Sequence, residues 1–513
     1  MISEAQPPHR ADNDVPPSKL RARRLGIDTQ HEAVVFMRHD CHVCRSEGLT
    51  AHARIQLTHG QRSIIATLYH VRSDLLQPEE AGLSEPAWRR LGLKGGEEIV
   101  VSHAPTPESL SRLRAKVYGQ RLDEGSLGNI LSDVVAGRYS DIHLSSFITA
   151  CAARSLDRPE TTALTRAMVD IGDKLEWNVR PVMDKHSVGG LPGNRTTPIV
   201  VAIVAAHGLT IPKTSSRAIT SPAGTADTME TMAPVDLDIA AMRRVVERES
   251  GCIVWGGAVR LSPADDILIR IERALDLDNG GQLVASVLSK KVAAGSTHLV
   301  IDMPVGPTAK IRTPEAAAAV SASLLEVSEA FGIRTKIVAA DGTQPVGRGI
   351  GPALEARDVL SVLQNAADAP ADLRERALAL AGALLELAEV AKGDGFDLAR
   401  QTLADGRAWK KFQRICEAQG GMRQPPLAAQ QRPQPAEHSG HVSRIDNRRI
   451  AKVAKLAGAP DDKAAGVQLL KRLGDRVEPG EPLFVVHAET RGELAYAMQY
   501  LAANRDIVTV ADG

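Results

Sequence analysis

Two segments rich in glycine, hydroxyl-bearing and basic residues flank one apolar run, and their composition suits the binding of an oxyanion. The first spans residues 184–194 (DKHSVGGLPGN) and the second spans residues 213–225 (KTSSRAITSPAGT). Glycines let backbone N–H groups approach an anion closely, hydroxyl groups donate hydrogen bonds, and Lys or Arg neutralises phosphate charge. One such segment could be an ordinary surface turn. Two of them around a single helix predict a shared anion site.

The elements that must position these segments are those of an α/β domain. The apolar run 199–206 predicts a buried helix between the two segments. Across residues 174–360, short β-type runs alternate with helical patterns, which is typical of an α/β fold. The predicted domains are a disordered start (1–18), an N-terminal β-rich module (19–105), a small α-helical domain (106–172), a large α/β domain (173–422), a linker rich in Pro and Gln (423–440) and a C-terminal α+β module (441–513).

The composition narrows the class of protein. The 513 residues are 43% hydrophobic and 24% charged, as in a globular protein with a sizeable core. Lys plus Arg and Asp plus Glu both number 62, so the zero formal charge argues against a nucleic-acid binder that relies on bulk positive charge. The start of the chain lacks the apolar core of a signal peptide, and the longest apolar run is shorter than the ~20 residues of a membrane span. We therefore expect a cytoplasmic protein without membrane or nucleic-acid partners.

One pair of cysteines, Cys41 and Cys44, has the spacing of a metal-binding or redox motif. The chain has five cysteines, an odd and sparse number that argues against a disulfide scaffold. A structural zinc site usually has four ligands, often from two such pairs, and the sequence has no second pair. His39 and His42 stand beside the pair as further ligands, although their adjacency makes joint ligation awkward. A metal site, a redox site and two ordinary thiols all remain open.

The two anion segments also carry a recognisable motif. Lys185, His186 and Ser187 precede a pair of glycines, and a Ser-x-Arg turn at residues 215–217 leads to Gly-Thr at 224–225. In this order and spacing the chain, from about residue 105 to its end, resembles the thymidine phosphorylase and AMP phosphorylase family of nucleoside phosphorylases. The resemblance implies a small α-helical domain and a large α/β domain, with an extra N-terminal β-rich module and a C-terminal α+β module. It also implies a homodimer or a higher homo-oligomer.

The same resemblance implies roles for individual residues. His186 falls where the family places a histidine near the base or sugar, and Asp278 matches the proton donor of the AMP branch. Taken alone, Asp278 is better explained as a helix N-cap, and it is the register with the family that favours the proton donor. The implied phosphate ligands are Lys185, Ser187, Gly189, Gly190, Thr196, Ser215 and Thr225. The implied nucleoside or nucleotide ligands are Ser216, Arg217, Ala218, Ile219, Thr220, Ser221, Ser286, Lys290 and Lys310.

The expected reaction is the reversible phosphorolysis of a nucleoside or a nucleoside 5′-monophosphate. Pyrimidine-specific members of the family recognise the base with an Arg in a Tyr-x-x-Arg-Asp segment. Here Arg270 and Arg273 lie nearby but out of register. An AMP-type reaction, which gives free base and ribose 1,5-bisphosphate, is therefore favoured. The alternative is a thymidine or pyrimidine-nucleoside phosphorylase that gives thymine and 2-deoxyribose 1-phosphate.

Two other classes of protein remain open on the sequence. An enzyme like anthranilate phosphoribosyltransferase, which shares the fold type, uses a diphosphate donor and magnesium; the adjacent Asp265 and Asp266 are the candidate acidic pair. A regulator that binds phosphate without catalysis is disfavoured because every catalytic-loop position is filled. For a phosphorylase we expect no metal and no organic cofactor, with inorganic phosphate as co-substrate.

Overall fold

The computed structural model describes residues 18–218, 221–277 and 280–511. The chain divides into two compact units. The first is made of the residues up to 114 together with residues 132–144, and the second of residues 115–131 together with residue 145 onward. The boundary therefore falls within helices of the predicted small α-helical domain. No helix of the described residues is long and apolar enough to cross a membrane.

The first unit contains a closed six-stranded barrel. Alternate residues of each strand point into it, so that Val35, Met37, Ile55 and Leu57 are all fully buried. The barrel occupies the span of the predicted β-rich module. Its elements are β1 (Lys19–Arg24), β2 (Val34–Arg38), α1 (His42–Ser46), β3 (Arg54–His59), β4 (Arg62–Val71), β5 (Glu80–Leu83), α2 (Glu85–Leu91) and β6 (Glu98–His103), with the strands in the order β1-β5-β2-β4-β3-β6.

Four helices follow the barrel in the chain. They are α3 (Leu110–Val117), α4 (Glu124–Val135), α5 (Asp141–Ala153) and α6 (Arg158–Ile171). Helix α6 begins at a capping box, in which the Asp157 side chain accepts from the Glu160 backbone and the Glu160 side chain accepts in return. The same buried Glu160 carboxylate accepts from the Lys116 amine at 2.8 Å. One carboxylate thus fixes the start of α6 and ties it to the end of α3.

The second unit contains a parallel sheet that confirms the predicted α/β fold. The strands are β7 (Met183–Ser187), β8 (Ile211–Ser215), β9 (Gly251–Trp255), β10 (His298–Val305) and β11 (Arg334–Asp341). Parallel pairing gives the orders β11-β10-β7 and β8-β9, and a parallel bridge between Val182 and Thr210 joins the two groups. Because carboxyl ends of parallel strands share one edge, Ser187 and Ser215 end on the same side of the sheet.

Helices connect and cover this sheet. The predicted buried helix is α7 (Thr197–Ala206), whose residues from Ile199 to Ala205 are at most 1% exposed. Helix α7 leads from β7 to β8 and lies in the largest hydrophobic cluster of the unit. The other helices are α8 (Thr225–Glu230), α9 (Ile239–Glu249), α10 (Pro263–Leu275), α11 (Gly280–Ala293), α12 (Pro314–Ala330), α13 (Pro352–Leu363), α14 (Ala371–Leu387), α15 (Gly395–Ala404) and α16 (Arg407–Ala418), and a 3₁₀ turn spans Gly256–Val259.

Two further sheets form the C-terminal part of the second unit. Their elements are β12 (Gly349–Ile350), β13 (Gln430–Pro435), β14 (Gly440–Ile445), α17 (Asn447–Leu456), β15 (Gly466–Leu469), β16 (Arg476–Val477), β17 (Pro482–Ala488), α18 (Arg491–Ala503) and β18 (Val508–Ala511), with a 3₁₀ turn at Arg505–Ile507. The strand orders are β12-β15-β17-β13 and β16-β14-β18. Strand β12 is contributed from within the predicted α/β domain.

The segment 423–440, predicted as a linker, contains strand β13 and is therefore part of the C-terminal fold. This strand pairs antiparallel with β17 along its whole length. Its proline content is typical of a linker, but β13 is an edge strand of the sheet. An edge strand tolerates proline where its N–H would face away from the neighbouring strand.

Candidate functional site

Lys185 lies on β7 rather than in the loop that the glycine pattern suggested. Its side chain is almost fully buried, and its Nζ donates to Thr196 Oγ1 at 2.8 Å. Thr196 is the residue just before α7, so this bond joins the strand to the start of the buried helix. Two predicted phosphate ligands are therefore in direct contact.

The glycines after β7 are required by backbone geometry. Gly189 and Gly190 have φ angles of +93° and +81°, in the left-handed region that favours glycine. A Cβ atom at Gly190 would also collide with the backbone nitrogen of Lys310. The loop that carries Lys310 thus packs directly on the first anion segment, as expected if both contact one ligand.

A buried carboxylate balances the charge of Lys185. Asp302, on β10, lies 3.9 Å from the Lys185 amine and accepts from Arg376 at 2.7 Å and from Asn194 at 2.7 Å. Burial would raise the pKa of Asp302, but Lys185 and Arg376 together hold it below its ordinary value. Burial lowers the pKa of Lys185 to about 8, an effect that Asp302 opposes. Neither Asp302 nor Arg376 is among the residues predicted from the sequence.

Arg195 joins the two anion segments and was also missed. Its Nη1 donates to Thr225 Oγ1 at 2.8 Å and its Nη2 to the carbonyl of Ala223 at 2.9 Å, both in the second segment. Its Nε donates to Glu355, on α13, at 2.6 Å, and the Glu355 side chain is only 1% exposed. Arg195, the residue that directly follows the first segment, therefore holds the second segment through its guanidinium, and a buried carboxylate fixes that guanidinium.

The second segment is closed by Asp227. This carboxylate accepts from the backbone N–H of Ala218 at 2.6 Å and from that of Gly224 at 2.9 Å. Ser215, at the end of β8, has a buried Oγ atom without a hydrogen-bond partner among the described residues. A buried hydroxyl group without a partner is costly unless a ligand or a water satisfies it. Ser215 is therefore placed to bind a ligand.

Other predicted ligands of the second segment are placed less favourably. The Arg217 guanidinium makes a bidentate ion pair with Glu230 at 2.8 and 2.9 Å and stacks 4.9 Å from the Trp255 ring centroid. Because this group is already paired, we do not carry Arg217 forward as a nucleoside ligand. The Ser221 hydroxyl donates to the nearby carbonyl of Ala223. The side chain of Ser216 is exposed. Ile219 and Thr220 lie outside the described residues.

His186 is held as a neutral imidazole. It is half-buried on β7, and burial lowers its pKa well below the ordinary value. Four lysines lower this pKa further: Lys291, Lys213, Lys290 and Lys185. A neutral imidazole exchanges hydrogen bonds with a base or a sugar without carrying charge.

A buried carboxylate lies two residues before His186 on the same strand. Asp184, also on β7, lies 2.7 Å from the Lys291 amine and 3.5 Å from the Lys213 amine, and it accepts from Ser296 at 3.1 Å. Three buried charges thus leave one net positive charge at this face of the strand. This excess favours an anion nearby.

Helix α11 carries the predicted base-binding pair. Ser286 and Lys290 lie four residues apart, which places them on the same face of the helix. Lys290 makes an ion pair with Asp265 on α10 at 2.5 Å. Asp265 is therefore engaged by a lysine, and within the described ranges no group of three or more His, Cys, Asp or Glu side chains forms a potential metal site. Asp278, the predicted proton donor, lies outside the described residues.

The C-terminal sheets reach the same site. The Asn447 amide, at the start of α17, donates to Thr308 Oγ1 and to the Gly342 carbonyl, both at 3.0 Å. Thr308 belongs to the loop that carries Lys310. Lys463, between α17 and β15, lies 3.0 Å from Glu230, the carboxylate that pairs with Arg217. The C-terminal part therefore fixes loops of the anion site as well as its own core.

The lowered pKa of Lys185 predicts how anion binding depends on pH. The amine carries its charge below a pKa of about 8 and loses it above. A charge-assisted hydrogen bond contributes about 1.5–3 kcal/mol, so sulfate affinity should fall about tenfold or more from about pH 7 to about pH 9.5. Sulfate stays a dianion throughout, and calorimetric titration measures the change.

A matched variant separates Lys185 from the other lysines. In Lys185→Arg the guanidinium stays charged over the whole range, so the part of the pH dependence that comes from position 185 should disappear. Lys213, with its pKa lowered to about 7 by burial, is unchanged in this variant. A sloping profile that survives in Lys185→Arg would assign the titration to another group.

Comparison with known protein families supports the same interpretation. Residues 111–172 match the model "Glycosyl transferase family, helical bundle domain", and residues 179–409 match "Glycosyl transferase family, a/b domain". Residues 441–508 match "Pyrimidine nucleoside phosphorylase C-terminal domain". The fold and these matches define a pentosyltransferase of the nucleoside phosphorylase type.

Curated relatives cover almost the whole chain. A "Putative thymidine phosphorylase" of Chelativorans sp. (strain BNC1) is 61% identical over 96% of this chain and 97% of its own. Another of the same name, from Polaromonas sp. (strain JS666 / ATCC BAA-500), is 60% identical over 99% of both chains. The chain belongs to the thymidine phosphorylase family.

A solved structure supports the fold alone. Anthranilate phosphoribosyltransferase from Thermus thermophilus superposes with a TM-score of 0.50 at 22% sequence identity. The match covers 60% of this chain and 98% of that chain. At this identity the likeness says nothing about the reaction.

Proposed function

We propose that the protein catalyses the reversible phosphorolysis of a nucleoside or a nucleoside 5′-monophosphate, with inorganic phosphate as the nucleophile. The observation that carries this proposal is the joined pair of anion segments. Lys185, Arg195 and Arg376 supply three positive charges against the carboxylates of Asp302 and Glu355. The cluster keeps one excess positive charge, and an anion such as phosphate would balance it.

Phosphate held at this cluster would meet two requirements of the reaction. It is the nucleophile at C1′ of the sugar, and its negative charge stabilises the oxocarbenium-like centre that forms there. Fixed donors and charges around a reacting group lower the barrier because they need no reorganisation during the reaction. Lys185 neutralises charge, and the hydroxyl groups of Ser187, Thr196, Ser215 and Thr225 orient the phosphate oxygens.

The departing base must receive a proton or a hydrogen bond. In the proposed reaction the neutral His186 contacts the base or the sugar, while Ser286 and Lys290 bind the base. Asp278 protonates a departing purine at N7, which requires a carboxyl group with a raised pKa in a dry cleft. We propose that the enzyme uses no cofactor and works as a cytoplasmic homodimer or larger homo-oligomer.

The favoured substrate is a nucleoside 5′-monophosphate of the AMP type. The second segment is rich in hydroxyl groups, which suit a second phosphate, and Arg270 and Arg273 are out of register with the arginine that recognises pyrimidines. The alternative is thymidine or another pyrimidine nucleoside. Two observations support this alternative: the names of the curated relatives and the match of residues 441–508 to a pyrimidine nucleoside phosphorylase domain.

A panel of substrates tests both hypotheses. We expect kcat/KM for AMP or CMP, at equal phosphate, to equal or exceed the value for thymidine and uridine. Base release should require phosphate or arsenate in every case. A thymidine value far above that of every 5′-monophosphate would establish the alternative.

One substitution then separates the two chemistries. Asp278→Asn should abolish purine release, because the leaving base loses its proton donor, while any thymidine activity stays largely intact. A loss of this kind corresponds to several kcal/mol of transition-state stabilisation. Asp276→Asn is the matched control, since Asp276 ends α10 in a left-handed conformation that Asn also adopts. Equal losses in both variants would remove Asp278 from the mechanism.

A further inference from the structure

The two cysteines of the first unit lie at the start of α1, directly after strand β2. Cys41 is the N-cap residue of this short helix, and its Sγ accepts a hydrogen bond from the Cys44 backbone N–H at 3.2 Å. Cys44 lies one helical turn further along the same helix. Both sulfur atoms belong to one hydrophobic cluster with the barrel core. Nothing in the proposed phosphorolysis uses this pair.

The geometry brings the two sulfur atoms together without strain on the helix. Residues three apart on a helix are surface neighbours, with Cβ atoms roughly 5–6 Å apart. A disulfide needs Cα atoms about 4.4–6.8 Å apart, so the change from dithiol to disulfide requires only a local adjustment. Both thiols are free in this structure.

The pair is chemically asymmetric. The Cys44 thiol donates to Cys41 and lowers the pKa of Cys41 to about 6. The same interaction raises the pKa of Cys44. Near neutral pH the pair therefore holds one thiolate and one thiol, the arrangement in which one sulfur attacks and the other resolves.

The remaining cysteines lack this arrangement. Cys151, Cys252 and Cys416 are buried, and burial raises the pKa of each, to about 12 for Cys151 and Cys416. A thiol with so high a pKa forms almost no thiolate at neutral pH. These three residues are therefore internal controls for the reactivity of the pair.

We propose that Cys41 and Cys44 form a redox-active dithiol that exchanges with a small disulfide of the glutathione class. The Cys41 thiolate attacks one sulfur of the small disulfide, whose S–S bond breaks and releases one thiolate that takes up a proton. Cys44 then loses its proton and attacks the Cys41 sulfur of the mixed disulfide. This step forms the Cys41–Cys44 bond and releases the second small thiol. Two protein thiols are oxidised and one small disulfide is reduced.

Cys41 and Cys44 are covered in this structure, and an open depression beside α1 is lined by Asp40, His42, Arg45, Ser46, Pro78 and Glu79. His42 and Arg45 are exposed and can attract the carboxylates of a glutathione-type disulfide. Since α1 has only five residues, local opening of its first turn exposes the Cys41 sulfur.

Mass spectrometry of the full-length protein tests the proposal. Residues 39–45 form one tryptic peptide that contains both cysteines. After equilibration with glutathione buffers of increasing oxidation, this peptide should lose two hydrogen atoms and its capacity for alkylation. The peptides with Cys151, Cys252 and Cys416 should remain alkylated as free thiols. In the reduced protein, Cys41 should be alkylated at least about tenfold faster than Cys416.

Single substitutions separate the two roles. Cys44→Ser should trap a mixed disulfide of glutathione on Cys41, because the resolving thiol is gone. Cys41→Ser should leave Cys44 as a free thiol, and Cys151→Ser should behave like the original protein. A dithiol that persists under the most oxidising buffer would overturn the proposal. Trapping on Cys44 in place of Cys41, or protection of both thiols by added zinc, would overturn it equally.

Discussion

The Lys185→Met variant should lose roughly 100- to 1000-fold in kcat/KM for phosphate, the size of effect seen when one donor to a reacting anion is removed. Methionine has nearly the same length and fills the same buried space, so the substitution removes the charge rather than the packing. The loss should appear both as a lower kcat and as a raised KM for phosphate. Initial-rate kinetics at varied phosphate, with the best substrate of the panel, measures it.

The fold should survive this change. Asp302 keeps its ion pair with Arg376 at 2.7 Å and its bond from Asn194 at 2.7 Å, so no buried carboxylate is left alone. The exposed Lys392, which has no side-chain ion pair described in the structure, provides the control variant Lys392→Met with unchanged kinetics. A folded Lys185→Met enzyme with an unaltered phosphate KM would show that the anion site has been wrongly placed.

The Arg195→Met variant should be destabilised by roughly 3–5 kcal/mol, because it leaves the buried carboxylate of Glu355 without its cation. Among the residues that the structure describes, Glu355 would retain the Thr228 hydroxyl at 3.1 Å and the Gly351 N–H at 3.3 Å as side-chain partners. Burial already raises the pKa of Glu355, which shows how poorly its charge is solvated. Urea unfolding followed by tryptophan fluorescence measures the change in unfolding midpoint.

A double variant distinguishes the structural role of Arg195 from its functional role. Arg195→Met with Glu355→Gln removes the unpaired charge, so most of the lost stability should return. The phosphate KM should stay high, because Thr225 and Ala223 remain untied from the first segment. If the double variant loses as much stability as the two single variants together, the ion pair does not couple Arg195 to Glu355.

The sequence predicts the elements of this site better than the contacts between them. The apolar run before Gly208 indicates α7 because a buried helix is apolar on every side, and the glycines at 189–190 indicate a tight turn that only glycine adopts. Lys185 and Thr196, both implied as phosphate ligands by the family resemblance, are in contact. Each of these features depends on a few adjacent residues, which is why it can be predicted from the sequence.

The missed residues depend on contacts between distant parts of the chain. Asp302 left a signal, since it is the one carboxylate in the apolar strand 298–305. Arg376 and Glu355 left none, because they lie on amphipathic helices where charged residues are ordinary. The ion pair of Arg217 could not be predicted for the same reason, because its partner Glu230 is thirteen residues further along the chain.

The contacts of Asn447 and Lys463 with the loops of the anion site bear on how the enzyme is made in the cell. During synthesis the N-terminal parts of a chain emerge and fold first. The loop of Lys310 and Glu230, the partner of Arg217, gain their supporting contacts only after α17 and the residues that follow it have been synthesised. A ribosome that stalls before residue 447 releases a chain with both anion segments but without the side chains that hold their neighbours. We therefore expect a chain that ends before residue 447 to bind phosphate and turn over substrate more weakly than the full-length chain, because these supporting contacts are missing.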